Sequence, residues 1–164
     1  SEMCIRDSLS SVVSTGKLNA ETIMTSYNLH EGENFIPPGF AKAATGTDGF
    51  NSSTASFDGW LKGFLPDLSD KDLAKVKTMY PAVGEAEEIN WNTTYIRAGI
   101  LYRDLVLACP AYWLSDTADK GWLIEYTISP AKHASDVQYV CSSITSLVPA
   151  FPSSHWRFAD LVSC

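Results

Sequence analysis

No stretch of this sequence approaches the roughly 20 consecutive apolar residues that a membrane-crossing helix requires, so no membrane span is expected. Nor is there an excess of positive charge: 12 Lys and Arg stand against 19 Asp and Glu, for a formal net charge of −7. That balance argues against nucleic acid or an anionic membrane surface as a partner. The four cysteines, Cys4, Cys109, Cys141 and Cys164, form no C-x-x-C pair, which disfavours zinc and thioredoxin-like chemistry. His30 stands beside Glu31, but neither an HExxH motif nor a third ligand at useful spacing accompanies it, so no metal is expected. Ser1 to Ser10 lacks the apolar core of a signal peptide. There is no internal repeat and no low-complexity tract.

What is present is the material of a globular domain. The chain has 164 residues, 45% hydrophobic and 19% charged, enough for one domain with a real core. Five Trp, seven Tyr and seven Phe supply bulky core and pocket-wall side chains. Asn51-Ser52-Ser53 and Asn92-Thr93-Thr94 are glycosylation sequons. Together with an even cysteine count they point to an oxidising compartment, and a secreted protein is the expectation.

Residues 1–8 carry no pattern and read as a non-native remnant. Leu9 to Leu18 suggests a short helix stopped at Gly16. Thr22 to Tyr27 is a β-type run that ends at Asn28-Leu29-His30-Glu31-Gly32. Pro37 to Ser56 is rich in Gly, Pro, Ser and Thr and reads as a loop. Phe57, Trp60, Leu61 and Phe64 fall at helical spacing and make one packed face. Ser69 caps a further helix, with Asp70 and Asp72 at its positive start, Leu73, Val76 and Tyr80 on one face and Pro81 at its end. Pro81 to Asn92, with Glu85, Glu87 and Glu88, is a solvated acidic connection. Thr93 to Cys109 has an apolar face of Ile96, Ile100, Leu101, Leu105 and Cys109, leaving Arg97, Arg103 and Asp104 to face water. Pro110 is expected to kink or end that helix. Gly121 to Ser129 is apolar nearly throughout and reads as a strand buried on both sides. Two strands do not make a stable sheet alone, so further strands are expected from an upstream part of the same chain.

Acyl transfer by a serine or cysteine needs a nucleophile, a histidine to take its proton, and a carboxylate to fix the histidine tautomer and stabilise the imidazolium. On α/β-hydrolase sheets the chain order is Ser, then Asp or Glu, then His. Glu31 follows the first strand and His133 follows the later one. Both therefore fall where an open α/β sheet places its site, beyond the carboxyl ends of strands. Glu33, two residues on, is a competing acid. Ser129-Pro130-Ala131-Lys132 and Ser14-Thr15-Gly16-Lys17 both spell S-x-x-K. The S-D-N and K-T-G elements that this chemistry also needs are missing, so the matches read as coincidence.

Four segments carry a resemblance: Thr25 to Phe35 (TSYNLHEGENF), Tyr102 to Pro110 (YRDLVLACP), Trp122 to Tyr126 (WLIEY) and Lys132 to Asp136 (KHASD). In this order they resemble the type-B carboxylesterase and lipase family, which includes the cholinesterases, and they look closest to fungal secreted members. The likeness runs over about Ser10 to Tyr139. It implies that Glu31, the Glu of the Glu-Gly pair, is the triad acid, and not Glu33. It implies that His133, in the His-Gly/Ala-x-Asp/Glu pattern, is the base. Cys109 matches a family cysteine that is disulfide-bonded in some relatives, with Cys141 or Cys164 as its partner here. The family needs no cofactor, and its substrates are small-molecule or lipid esters.

The departures are equally informative. No Gly-x-Ser-x-Gly elbow and no glycine-rich oxyanion segment occurs in the chain. The expectation is therefore the C-terminal part of an α/β-hydrolase fold over residues 9–139, with an incomplete sheet and a divergent or frameshifted tail at 140–164. Such a fragment would carry the acid and base of a Ser-His-Glu triad and would be inactive without the missing N-terminal part. The alternative is a non-catalytic secreted binding or adhesion module on the same fold.

Overall fold

The structure is a computed structural model. It describes residues 9–16, 18, 20–36, 54–83, 91–140 and 156–158. The chain divides into two compact units, Ser1–Glu31 with Arg103–Cys164, and Gly32–Tyr102.

The first unit is built on a small sheet. Strand β1 (Thr22–Asn28) is rich in β-branched and aromatic residues and pairs in parallel with β2 (Lys120–Tyr126). The register runs from Thr22 opposite Lys120 to Asn28 opposite Tyr126. A third strand, β3 (Trp156–Phe158), lies antiparallel on the other edge of β2, giving the order β1-β2-β3. Helix α1 (Leu9–Ser14) precedes the sheet and stops at Gly16, whose φ of 63° lies in the left-handed region that a glycine enters without steric cost. Mixed helices around a partly parallel sheet make this an α/β arrangement.

One face of the sheet is covered by α5 (Cys109–Thr117). The Thr25 hydroxyl donates to the Ala111 carbonyl at 2.8 Å. Gly121 runs so close to α5 that an added Cβ would lie 1.7 Å from the Ser115 carbonyl oxygen. On the opposite face Met24 and Trp122 sit side by side in the register and are 68% and 45% exposed. Further along that face Asn28 and Tyr126 are buried, and Tyr139 of the short helix α6 (Val137–Val140) packs its ring on Tyr126.

The second unit has an aromatic core. Helices α2 (Thr54–Phe64), α3 (Asp70–Met79) and α4 (Thr94–Arg103) supply it, apart from the last residue of α4. Phe57, Leu61, Leu73, Ala98 and Leu101 are buried together with Ile36, and Trp60, Phe64, Val76 and Tyr80 pack against them. Full burial of a side chain such as Phe57 or Leu61 contributes about 1.5–3 kcal/mol. The Ser69 hydroxyl accepts from the Asp72 amide at 3.2 Å and caps α3, the expected signal at the expected place.

Several expectations need correction. Arg97, Arg103 and Asp104 do not face water: they are 3%, 7% and 5% exposed, while Leu105 is 41% exposed. Directly after α4 the chain forms a π-helical segment, Asp104–Ala108, whose wider turn shifts Leu105 and the residues after it from their straight-helix positions; Arg97 and Arg103 precede it, in α4 itself. The buried charges are paid for by partners. The Arg97 Nε donates to the Tyr80 carbonyl at 2.9 Å, and its guanidinium lies 3.7 Å from the centre of the Phe57 ring. Pro110 does not end the helical run, which passes from the π-helical segment directly into α5 with Pro110 as its second residue. Strand β2 is not buried on both sides. It ends at Tyr126, three residues before the expected end, and its first three residues are exposed because the described residues cover one face only over that length. Residues 54–56, read as loop, open α2. Residues 1–8, 37–53, 84–90 and 141–155, with Asn51, Cys4, Cys141 and Cys164 among them or in the last segment, lie outside the described residues. The expected remnant, most of the loop, the acidic connection and most of the tail therefore lie there too.

Candidate active site

The site forms where β1 and β2 end side by side, in the first unit. Past Asn28 the ladder continues for one bond, from the Leu29 amide to the Tyr126 carbonyl at 3.0 Å. The His30 amide then donates to the Ala131 carbonyl at 2.9 Å, tying the two post-strand loops together. A 3-10 turn starts at Glu31 and folds its carboxylate back over the strand end, where Oε2 accepts the Asn28 amide at 2.8 Å.

The second loop is shaped by its own backbone. The Ala131 amide donates to the Ile128 carbonyl at 2.8 Å and the Ser135 amide to the Lys132 carbonyl at 3.0 Å. Ala131 and Ala134 take φ values of 50° and 66°, in the left-handed region that residues with a Cβ rarely enter. They flank the Lys132-His133 pair, so the strained turn presents the imidazole. Within it His133 Nδ1 lies 2.8 Å from Glu31 Oε1, a pair drawn from positions 102 residues apart. The Glu31 side chain is 11% exposed and the His133 side chain 46% exposed.

Asn28 occupies the seam between the loops. Its side-chain amide donates to the Lys132 carbonyl at 2.8 Å and to Asp136 Oδ1 at 3.1 Å. Its own Oδ1 is buried and without a hydrogen-bond partner among the described residues. Behind the Glu31 loop lies a buried ionic cluster. Arg103 donates through Nη1 to the Leu29 carbonyl at 3.0 Å and through Nε to Asp104 Oδ1 at 2.7 Å, with Nη2 2.6 Å from the same oxygen. Glu125 Oε1 is 3.7 Å from Nη1. Tyr27 lies beneath the guanidinium, and burial first, then the Glu125 charge, pushes its phenol up to about 12.

A carboxylate on Nδ1 accepts that nitrogen's proton and leaves the lone pair of the neutral ring on Nε2. This orients the imidazole and makes it able to take a proton and return it. The competing acid, Glu33, belongs to the second unit, where its carbonyl accepts from the Tyr95 hydroxyl at 2.7 Å; the carboxylate on His133 is that of Glu31. No group of three metal-ligating side chains occurs among the described residues. Ser129 lies in the turn after β2 and not at a helix start, as S-x-x-K chemistry needs. Asn92, of the second sequon, is exposed. No helix among the described residues is long and apolar enough to cross a membrane.

The sequence reading assigned no role to Asn28 and turned Arg103 outward. Asn28 had a readable signal, a polar side chain at the carboxyl end of a strand three residues before the candidate acid. Comparisons of the chain with protein-family models, with curated proteins and with solved structures found no match.

Proposed function

We propose that this chain supplies the acid and base of a Ser-His-Glu triad in a secreted carboxylic ester hydrolase, as the C-terminal part of an α/β-hydrolase domain. The nucleophilic serine and the oxyanion donors come from an upstream part of the same polypeptide. The observation that carries the reading is the 2.8 Å contact of Glu31 Oε1 with His133 Nδ1 at the adjacent ends of two parallel strands. In acylation His133 Nε2 takes the serine proton as Oγ attacks the ester carbonyl, then passes it to the departing alcohol. In deacylation the same nitrogen takes a proton from water, whose oxygen attacks the acyl-enzyme, and returns it to the serine. Glu31 fixes the tautomer and offsets the positive charge of the imidazolium throughout. No step needs a cofactor. The substrates are small-molecule or lipid esters.

The test uses the full-length gene product and a p-nitrophenyl ester. Glu31→Gln is expected to lower kcat by about 10³–10⁴-fold, His133→Ala by at least as much, and Glu33→Gln far less. Near-normal turnover in His133→Ala, or a larger loss from Glu33→Gln than from Glu31→Gln, overturns the assignment. A folded full-length protein that neither turns over esters nor reacts with a fluorophosphonate is a binding module and not a hydrolase.

A further inference from the structure

We infer that Asn28 is the positioning residue that brings the acid and base together, an inference that rests on the dyad reading above. Asn28 is 1% exposed and touches both halves of the pair. Through its main chain it holds Glu31: the amide donates to Oε2 at 2.8 Å, leaving Oε1 for the imidazole. Through its side chain it holds the histidine loop. Nδ2 donates to the carbonyl of Lys132, the residue immediately before His133, and to the carboxylate of Asp136, three residues after it. The turn bearing His133 is thus pinned on both sides by one buried amide.

Oδ1, which has no hydrogen-bond partner among the described residues, sharpens the inference. Turning the amide over would set Oδ1 against two acceptors, so the donors fix its orientation. A side chain kept for packing alone would not carry a buried, unsatisfied acceptor, because an apolar residue fills the same space without it. Asn28 is held in place by what its Nδ2 donates. The loop it pins needs holding: Ala131 and Ala134 both occupy left-handed backbone conformations that persist only where surrounding contacts over-determine them.

The tautomer of His133 reports this directly, since it is set by the partner of Nδ1. The full chain is labelled with ¹⁵N-histidine, and His133→Gln assigns the resonance among the three histidines. In the parent His133 is expected as the Nδ1–H tautomer; Glu31→Ala gives the reference without the acid. Asn28→Ala, and the isosteric Asn28→Asp that puts acceptors in place of donors, are expected to lower the Nδ1–H fraction by about half or more, toward that reference. A merely structural role would lower stability and leave the tautomer of the folded protein unchanged, which overturns the inference. Should both Asn28 variants fail to fold, Asp136→Ala removes one of the two acceptors from a partly exposed position. It is expected to shift the tautomer in the same direction, and no shift again overturns the inference. If Glu31→Ala itself leaves the parent tautomer intact, the dyad reading fails. A shift in Glu31→Ala with none in the other variants removes Asn28 alone.

Discussion

Arg103→Met is the most demanding test of how the candidate acid is supported. The side chains of Arg103 and Asp104 are each 8% exposed, so neither charge is solvated. Methionine keeps most of the stem volume and removes the guanidinium. The loss comprises the contacts of Nε and Nη2 with Asp104 Oδ1 at 2.7 and 2.6 Å, the Nη1 bond to the Leu29 carbonyl at 3.0 Å, and the looser approach to Glu125 at 3.7 Å. What remains is a buried carboxylate on Asp104 with Glu125 on the same side of the sheet. Breaking a buried pair from one side costs about 3–5 kcal/mol, because the other charge is left uncompensated. Removing both partners relieves that penalty, so Arg103→Met/Asp104→Leu is expected to cost about 2 kcal/mol or less, far below the sum of the two single losses, which is a coupling of about 4 kcal/mol or more in the double-mutant cycle. Urea unfolding followed by tryptophan fluorescence measures all four corners, provided that m is unchanged. A single variant within about 1 kcal/mol of the parent, or a cycle that adds without coupling, refutes the view that Arg103 and Asp104 are buried as a unit.

Two further outcomes follow from the same sheet. Gly121→Ala places a methyl group 1.7 Å from the Ser115 carbonyl oxygen, so the gain usual for Gly→Ala reverses and about 1–3 kcal/mol of destabilisation is expected from overpacking; an unchanged thermal midpoint would show that α5 yields freely. Tyr27 has its folded-state value raised from 10.0 to about 12 by burial first and the Glu125 charge second, so the native state keeps its proton when the unfolded chain has lost it. The contribution is fully present below about pH 10 and falls away as pH rises toward 12. Tyr27→Phe is expected to flatten that alkaline loss of stability in urea titrations run across the same window, and an equally steep loss in the variant would contradict the assignment.

Local signals carried far in reading the sequence where packing and pattern agreed. Ser69 with Asp70 and Asp72 marked the start of α3, and Phe57 with Leu61 marked the face of α2 that is buried. Thr22 to Tyr27 was legible as a strand because its residue types suit a half-buried pleat, and it runs one residue further to Asn28. The misreadings have separate physical causes. A straight 3.6-residue period over Thr93 to Cys109 does not allow for the switch to a π turn at Asp104, and periodicity carries no mark of that switch. The outward placing of Arg103 and Asp104 followed from treating charge as a sign of exposure, whereas here the two charges neutralise each other in sequence-adjacent positions. The helix α5 begins just before Pro110, where the sequence suggests a kink or an end. Strand β3 spans three residues, too short a stretch for alternation to register.

The meeting of Glu31 and His133 is not a property of either loop alone. It is set by the register of the two strands that carry them. Asn28 stands opposite Tyr126; the acid lies three residues beyond the first and the base seven beyond the second. A slip of one position along β2 would move the histidine loop by about 3.3 Å relative to the acid, more than the 2.8 Å that separates Nδ1 from Oε1. It would also turn every β2 side chain to the opposite face. Trp122 would then face α5, where Gly121 now leaves room for the Ser115 carbonyl, and Glu125 would leave the side of Arg103. Gly121 at one end of the strand pair and the Asn28 bonds to Lys132 and Asp136 at the other therefore act on the same degree of freedom. The contact of acid and base depends on the packing of α5 as much as on the two residues that make it.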